Sequence, residues 1–134
     1  MMQDILVPTA PGELIDKLTI LQLKAEKITD PLKLANVLHE RAVLQRTADA
    51  ALAPGPALTA LWAQLYQINA ALWIIEDDIR ECESRADFGS DFIRLARAVY
   101  VTNDSRAAVK KQINLHLGSA ILEEKSYHEH GQKP

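Results

Sequence analysis

Cysteine is nearly absent from this chain: Cys82 is the only one among 134 residues, so no internal disulfide can form. Its place on an apolar seam suits a reduced, packed thiol better than a reactive one. Five glycines and six prolines are too few for a disordered or repetitive chain, and no internal repeat or long linker divides it. Positive charge is not in excess either. Fifteen Lys and Arg stand against 18 Asp and Glu, for a formal charge of −3, so a phosphate backbone has no general attraction to it and nucleic acid is not an expected partner. No uninterrupted apolar run reaches the roughly 18 to 20 residues that span a bilayer. The opening Met1-Met2-Gln3-Asp4 also lacks the basic stretch of a secretory signal. Membrane insertion is therefore not expected, and a cytoplasmic location is. There is no Gly-rich phosphate loop, no CxxC pair and no Ser/His/Asp order.

What is present is a high share of apolar residues, 48%, beside 25% charged ones, enough for one core in a chain of the commonest domain size. Their spacing is helical. From Leu58 to Glu83 the residues Leu58, Leu61, Leu65, Ile68, Leu72, Ile75, Ile79 and Cys82 alternate steps of three and four, which predicts one long central helix with a seam for a partner helix. A neighbouring line on the same helix holds Trp62, Asn69, Trp73, Glu76 and Arg80. Buried, its polar members would need partners, for which Asn114 and Lys17 are candidates, and an Asn in such a seam more often sets register than does chemistry.

The expected fold is all-α: a single bundle of five or six helices around that central helix, spanning residues 1–127, with 128–134 as a flexible tail. Ile5-Leu6-Val7-Pro8 reads as an extended N-terminal arm laid over the core. Thr9 to Glu13 reads as the entry to a first helix running to about Ile28, and Asp30-Pro31 as the cap and first turn of a second. The second ends at Pro54-Gly55-Pro56. Beyond the central helix, Asp87 to Ser90 suggests an exit and a new cap, with Phe88 as a plug over the helix end. Thr102-Asn103-Asp104 suggests a further cap dividing a fourth helix from a fifth. Gly118 falls where a left-handed helix end is commonest, and Ser119 to Tyr127 could form a sixth helix tucked in by Ile121 and Leu122.

Charge is unevenly placed. Residues 76–87 hold six acids and two arginines, a net −4, whereas 94–111 hold five bases and one acid, a net +4. One reading sets the acidic end of the central helix across the basic stretch in rim salt bridges. The other makes the basic side a pocket for a phosphate or carboxylate. The ligand-facing candidates are Asp16, Lys17, Glu76, Arg80, Arg97, Arg106 and Lys125. Acids on paired helices could hold Mg²⁺, but the paired-acid pattern of helical pyrophosphohydrolases is not matched. His128 and His130 flank Glu129 without a third ligand at fixed distance. No metal or cofactor is called for.

Three segments together resemble a family of small bacterial helical proteins that carries a domain-of-unknown-function label. They are Gly12 to Leu21 (GELIDKLTIL), Leu72 to Arg80 (LWIIEDDIR), and Phe92 to Tyr127, which includes Ala98-Val99-Tyr100 and Glu123-Glu124-Lys125-Ser126-Tyr127. The resemblance implies a bacterial, cytoplasmic, all-helical domain and a link to cell-surface polysaccharide synthesis, and brings no catalytic residues. Two functions are thus expected in order: a non-catalytic interaction domain that dimerises, with Trp62 and Trp73 at the interface, and, as alternative, a binding protein or enzyme for an anionic small molecule.

Overall fold

In the computed structural model, which describes residues 1–128, four helices account for all the regular structure: α1 (Pro11–Lys27), α2 (Pro31–Ala51), α3 (Pro56–Ser84) and α4 (Ser90–His116). The all-helical class is as expected, the count of five or six is not. The shortest helix is the hub. Of its 17 residues α1 buries eight, whereas α2, α3 and α4 bury two, four and four. It is also the helix that meets all three others, while α2 approaches only α1 and α3 packs chiefly on α4. The reason lies in its sequence. Leu14 and Leu18 form one stripe and Ile15 and Thr19 the next, so two adjacent faces are apolar or hydrogen-bonded and can each take a neighbour.

Two apolar clusters result. Ile15 meets Leu58, Leu65, Val109 and Ile113 between α1, α3 and α4, and Leu14 and Leu18 meet Ala48 of α2. Trp62 and Leu52 pack against both clusters and join them. Each fully buried aliphatic side chain contributes about 1.5–3 kcal/mol over its exposed state, so these few positions carry most of the tertiary stability. α4 runs opposite to α1, with Gly12 beside Asn114 and Asp16 beside Arg106.

Helix ends follow local chemistry in part. Asp30 caps α2, its carboxylate accepting the Lys33 N–H at 2.9 Å, and Gly118 adopts φ 67° past the end of α4, both as the sequence suggests. The start of α1 is different. Its N-cap is Ala10, which has no side chain to offer, and the Gly12 N–H is satisfied instead by Asn114 Oδ1 at 2.7 Å. The α3–α4 connection closes with the Asp87 N–H on Cys82 O and the Ala86 N–H on Glu83 O, Ala86 taking φ 53°.

Several expectations are corrected. The break at Thr102-Asn103-Asp104 does not occur, because Leu95, Val99, Thr102, Arg106, Val109 and Ile113 keep one unbroken three-and-four stripe and the Arg106–Asp16 pair fastens its middle. Ser119 to Tyr127 is not helical. Ile121 and Leu122 stay exposed, and the segment runs back along α4 through Lys110–Glu123, Lys111–Glu124 and Lys125–Asp104 pairs. Phe88 is exposed and meets Phe92 edge-on at 5.3 Å rather than plugging α3. Ile5, Leu6 and Val7 are exposed too, so they do not lie over the core. Cys82 is buried and unpaired.

Candidate functional site

The densest polar constellation sits where α1, α3 and α4 cross. Asp16 is 2% exposed and faces inward because it shares α1 with Ile15 and Thr19. Arg106 from α4 grips it with both ends of its fork, Nε donating to Oδ1 at 2.8 Å and Nη2 to Oδ2 at 2.5 Å. Asn69 from α3 donates to Asp16 Oδ1 and to Thr19 Oγ1, each at 2.9 Å, and Thr19 donates to the Asp16 carbonyl. Bonding to Asp16 raises the Arg106 pKa against the opposing pull of burial, so this cation stays charged. Among the described residues no buried side-chain nitrogen or oxygen lacks a partner. The Asp16 carboxylate thus already accepts three donors, two from Arg106 and one from Asn69. The network locks three helices in register.

Lys110 forms a second junction. Its amine, 12% exposed, binds Glu13 of α1 at 2.7 Å and Glu123 of the C-terminal segment at 3.2 Å. Burial pulls its pKa down, and Glu13, Asp16 and Glu123 more than offset that, leaving it above the usual lysine value.

The residues expected to gather at one ligand site separate into several places. Asp16 and Arg106 meet. Lys17 turns to the other side of α1 and pairs with Glu40 of α2 at 3.2 Å. Glu76 and Arg80 pair with each other on the outside of α3 at 2.9 Å. Arg97 is exposed and edges a shallow depression with Ile93, Arg94 and Val101. Lys125 pairs with Asp104 at 2.7 Å and lies over the Tyr127 ring. The rim bridges expected between the acidic and basic stretches are replaced as well. Glu76 and Glu81 pair with Arg80 and Arg85 one turn on, and Arg106, Lys110 and Lys111 are taken by α1 and the C-terminal segment. Antiparallel pairing explains this, since it sets residues 76–84 opposite the start of α4 and not opposite 106–111.

Trp62 and Trp73 both lie toward α1. Trp62 is packed on the core, and Lys27 sits 6.0 Å from the Trp73 ring. The partner of Asn69 turned out to be Asp16, and Asn114 went to the helix start. Sequence reasoning missed Thr19 and Gly12. The glycine had a signal in its place one residue inside a proline-started helix.

Two of the open surfaces lie along α3. One is a cleft of about 550 Å³ between α2 and α3, walled by Leu52, Leu58, Trp62 and Tyr66. The other is the outer side of the α3–α4 hairpin, a trough lined by Ile68, Ala71, Val101 and Ala108; Val101 is exposed there, and Ile74 of α3 and Ile93 of α4 are exposed on the same two helices. Among the described residues no three His, Cys, Asp or Glu side chains are grouped to hold a metal ion. His39, His116 and His128 are exposed, and His130, the other half of the tail pair, lies outside the described residues.

A family model described as a family of unknown function (DUF6165) matches residues 5–134. No curated protein and no solved structure matches.

Proposed function

We propose that this chain, which belongs to the family of unknown function DUF6165, is a non-catalytic helical interaction module of the bacterial cytoplasm that dimerises through the outer face of its α3–α4 hairpin. One observation carries the reading. The most apolar 18-residue window of α3 is only 17% buried, although that helix is long and apolar enough by length and composition to cross a bilayer. Two antiparallel helices are half of a four-helix bundle, and a second hairpin related by a two-fold axis supplies the other half. Small residues on the trough, Ala71, Ser105 and Ala108, permit close approach, and the exposed Ile74, Ile93 and Val101 would fill the seam. Arg94 and Arg97 on α4 complement the net −4 of residues 76–87 on an opposed copy.

Sedimentation at micromolar concentration checks it. The expected result is a dimer, and Ile74→Glu or Val101→Glu should weaken it by about 100-fold or more, since a two-fold axis counts each buried charge twice. Both side chains are exposed in the single chain, so the variants keep their helical circular dichroism. A monomeric parent at about 100 μM, a concentration at which weak transient contacts are already populated, would sink the reading. So would flotation of the parent with lipid vesicles, which would give the face to a bilayer. The anionic-ligand alternative, with its link to polysaccharide synthesis, has less support, because Arg106, Lys110, Lys111 and Lys125 each already hold a carboxylate.

A further inference from the structure

We infer that the cleft between α2 and α3 is a binding site for a small organic cation with a flat apolar body, such as an aromatic amine or quaternary ammonium compound. The cleft exists because α2 packs its backbone against α1 alone and α3 diverges from it, leaving α1 as the floor and the Pro54-Gly55 turn as the closed end. Its volume, about 550 Å³, falls in the range of sites for small organic ligands, roughly 300–1,000 Å³. Leu52, Leu58, Trp62 and Tyr66 supply apolar and aromatic wall, beside Gln22, Thr59 and Gln67.

The charge on its lining has one sign. Asp49 lines the α2 wall, and its only bond is from Gln45 Nε2 to Oδ1 at 2.9 Å. Across the cleft Glu26 accepts the Tyr66 hydroxyl at 2.6 Å and a long bond from Gln22 Nε2. Neither acid is in an ion pair, whereas Glu13, Asp16, Glu40, Glu76 and Asp104 all are. No Lys, Arg or His lines the cleft. The Tyr66 hydroxyl is held above its usual pKa, first by its bond to Glu26, then by desolvation and by the Glu26 charge. Asp49 on the wall and Glu26 at the Tyr66 hydroxyl attract a cation by charge, Trp62 and Tyr66 add the ring quadrupole, and a flat body fills the apolar remainder. The same carboxylates repel phosphates and carboxylates. On α3 the cleft is lined by Leu58, Trp62 and Tyr66 and the trough by Gln64, Ile68 and Ala71, with Gln67 common to both.

Trp62 makes the test direct. With Trp73→Phe, Trp62 is the sole indole, and its fluorescence is titrated at constant ionic strength with benzyltrimethylammonium, benzyl alcohol and benzoate. The expected result is saturable quenching by the cation, at least about tenfold weaker binding of the neutral ring, and none of benzoate. Asp49→Asn with Glu26→Gln keeps the shape and the Tyr66 bond, and should weaken cation binding by about tenfold or more. Thermal shifts of the unsubstituted protein with the same three probes guard against a misfolded Trp73→Phe variant. Equal binding of cation and neutral ring, unchanged binding in the double variant, or no saturable response to any probe in both assays would overturn the assignment.

Discussion

At Gly12 α1 approaches α4 closely. A Cβ built there would lie 2.5 Å from the Lys110 carbonyl oxygen and 2.8 Å from Asn114 Oδ1, and the first of these is backbone that cannot step aside. Gly12→Ala should therefore cost about 1–3 kcal/mol in denaturant unfolding. Gly55→Ala, where nothing lies within 4 Å, should stay within about 0.5 kcal/mol and serves as control. One turn further on, Asp16→Ala strips Arg106 and Asn69 of their acceptor. Removing one partner of a buried pair costs about 3–5 kcal/mol. The Arg106 side chain keeps 28% exposure, so about 2–4 kcal/mol is expected here. A double-mutant cycle with Arg106→Ala should show a coupling of about 1 kcal/mol or more, and additivity would mean that the network does not act as a unit.

At the scale of the helix, the α3–α4 turn holds a correctable cost. Ala86 occupies the left-handed position, φ 53°, that glycine fills past α4 at Gly118. A Cβ there costs about 1–2 kcal/mol, part of which glycine returns as chain entropy. Ala86→Gly should stabilise the protein by about 0.5–1 kcal/mol, visible as a higher denaturation midpoint, with an unchanged or lower midpoint speaking against strain at the turn. The long α4 teaches the converse about local signals. Thr102-Asn103-Asp104 has capping chemistry, yet capping gains about 1 kcal/mol, less than an uninterrupted stripe from Leu95 to Ile113 gains by packing. Asn103 accepts from Arg106 at 3.5 Å instead.

For the whole molecule, Lys110 ties α1, α4 and the C-terminal segment together, and the sign of its pH effect follows. Its pKa is raised on folding above the ordinary 10.5, so its contribution is complete at neutral pH and is lost as pH rises through the folded value. Proteolysis between residues 119 and 128 should be slow at pH 7–9 and quicken above about pH 10.5, and Lys110→Gln should be cut faster at pH 7 with a smaller alkaline rise, the Lys111–Glu124 and Lys125–Asp104 pairs remaining. Salt should quicken cleavage as well, through the exposed Lys111–Glu124 pair.

The amino-acid order alone determined what depends on spacing and local chemistry. The three-and-four pattern settled the all-helical class and the long run of α3, Asp30-Pro31 and Pro54-Gly55-Pro56 placed the ends of α2, and Gly118 set the end of α4. Of the site candidates, Asp16 and Arg106 were legible as polar residues that a bundle does not require. Tertiary structure decided everything that depends on which face meets which helix. It made the short α1 the hub, sent Lys17 to Glu40 and Glu76 to Arg80, and borrowed a cap for α1 from Asn114. Periodicity gives each helix a stripe but not its neighbour, and burial of that stripe is a property of the assembled helices.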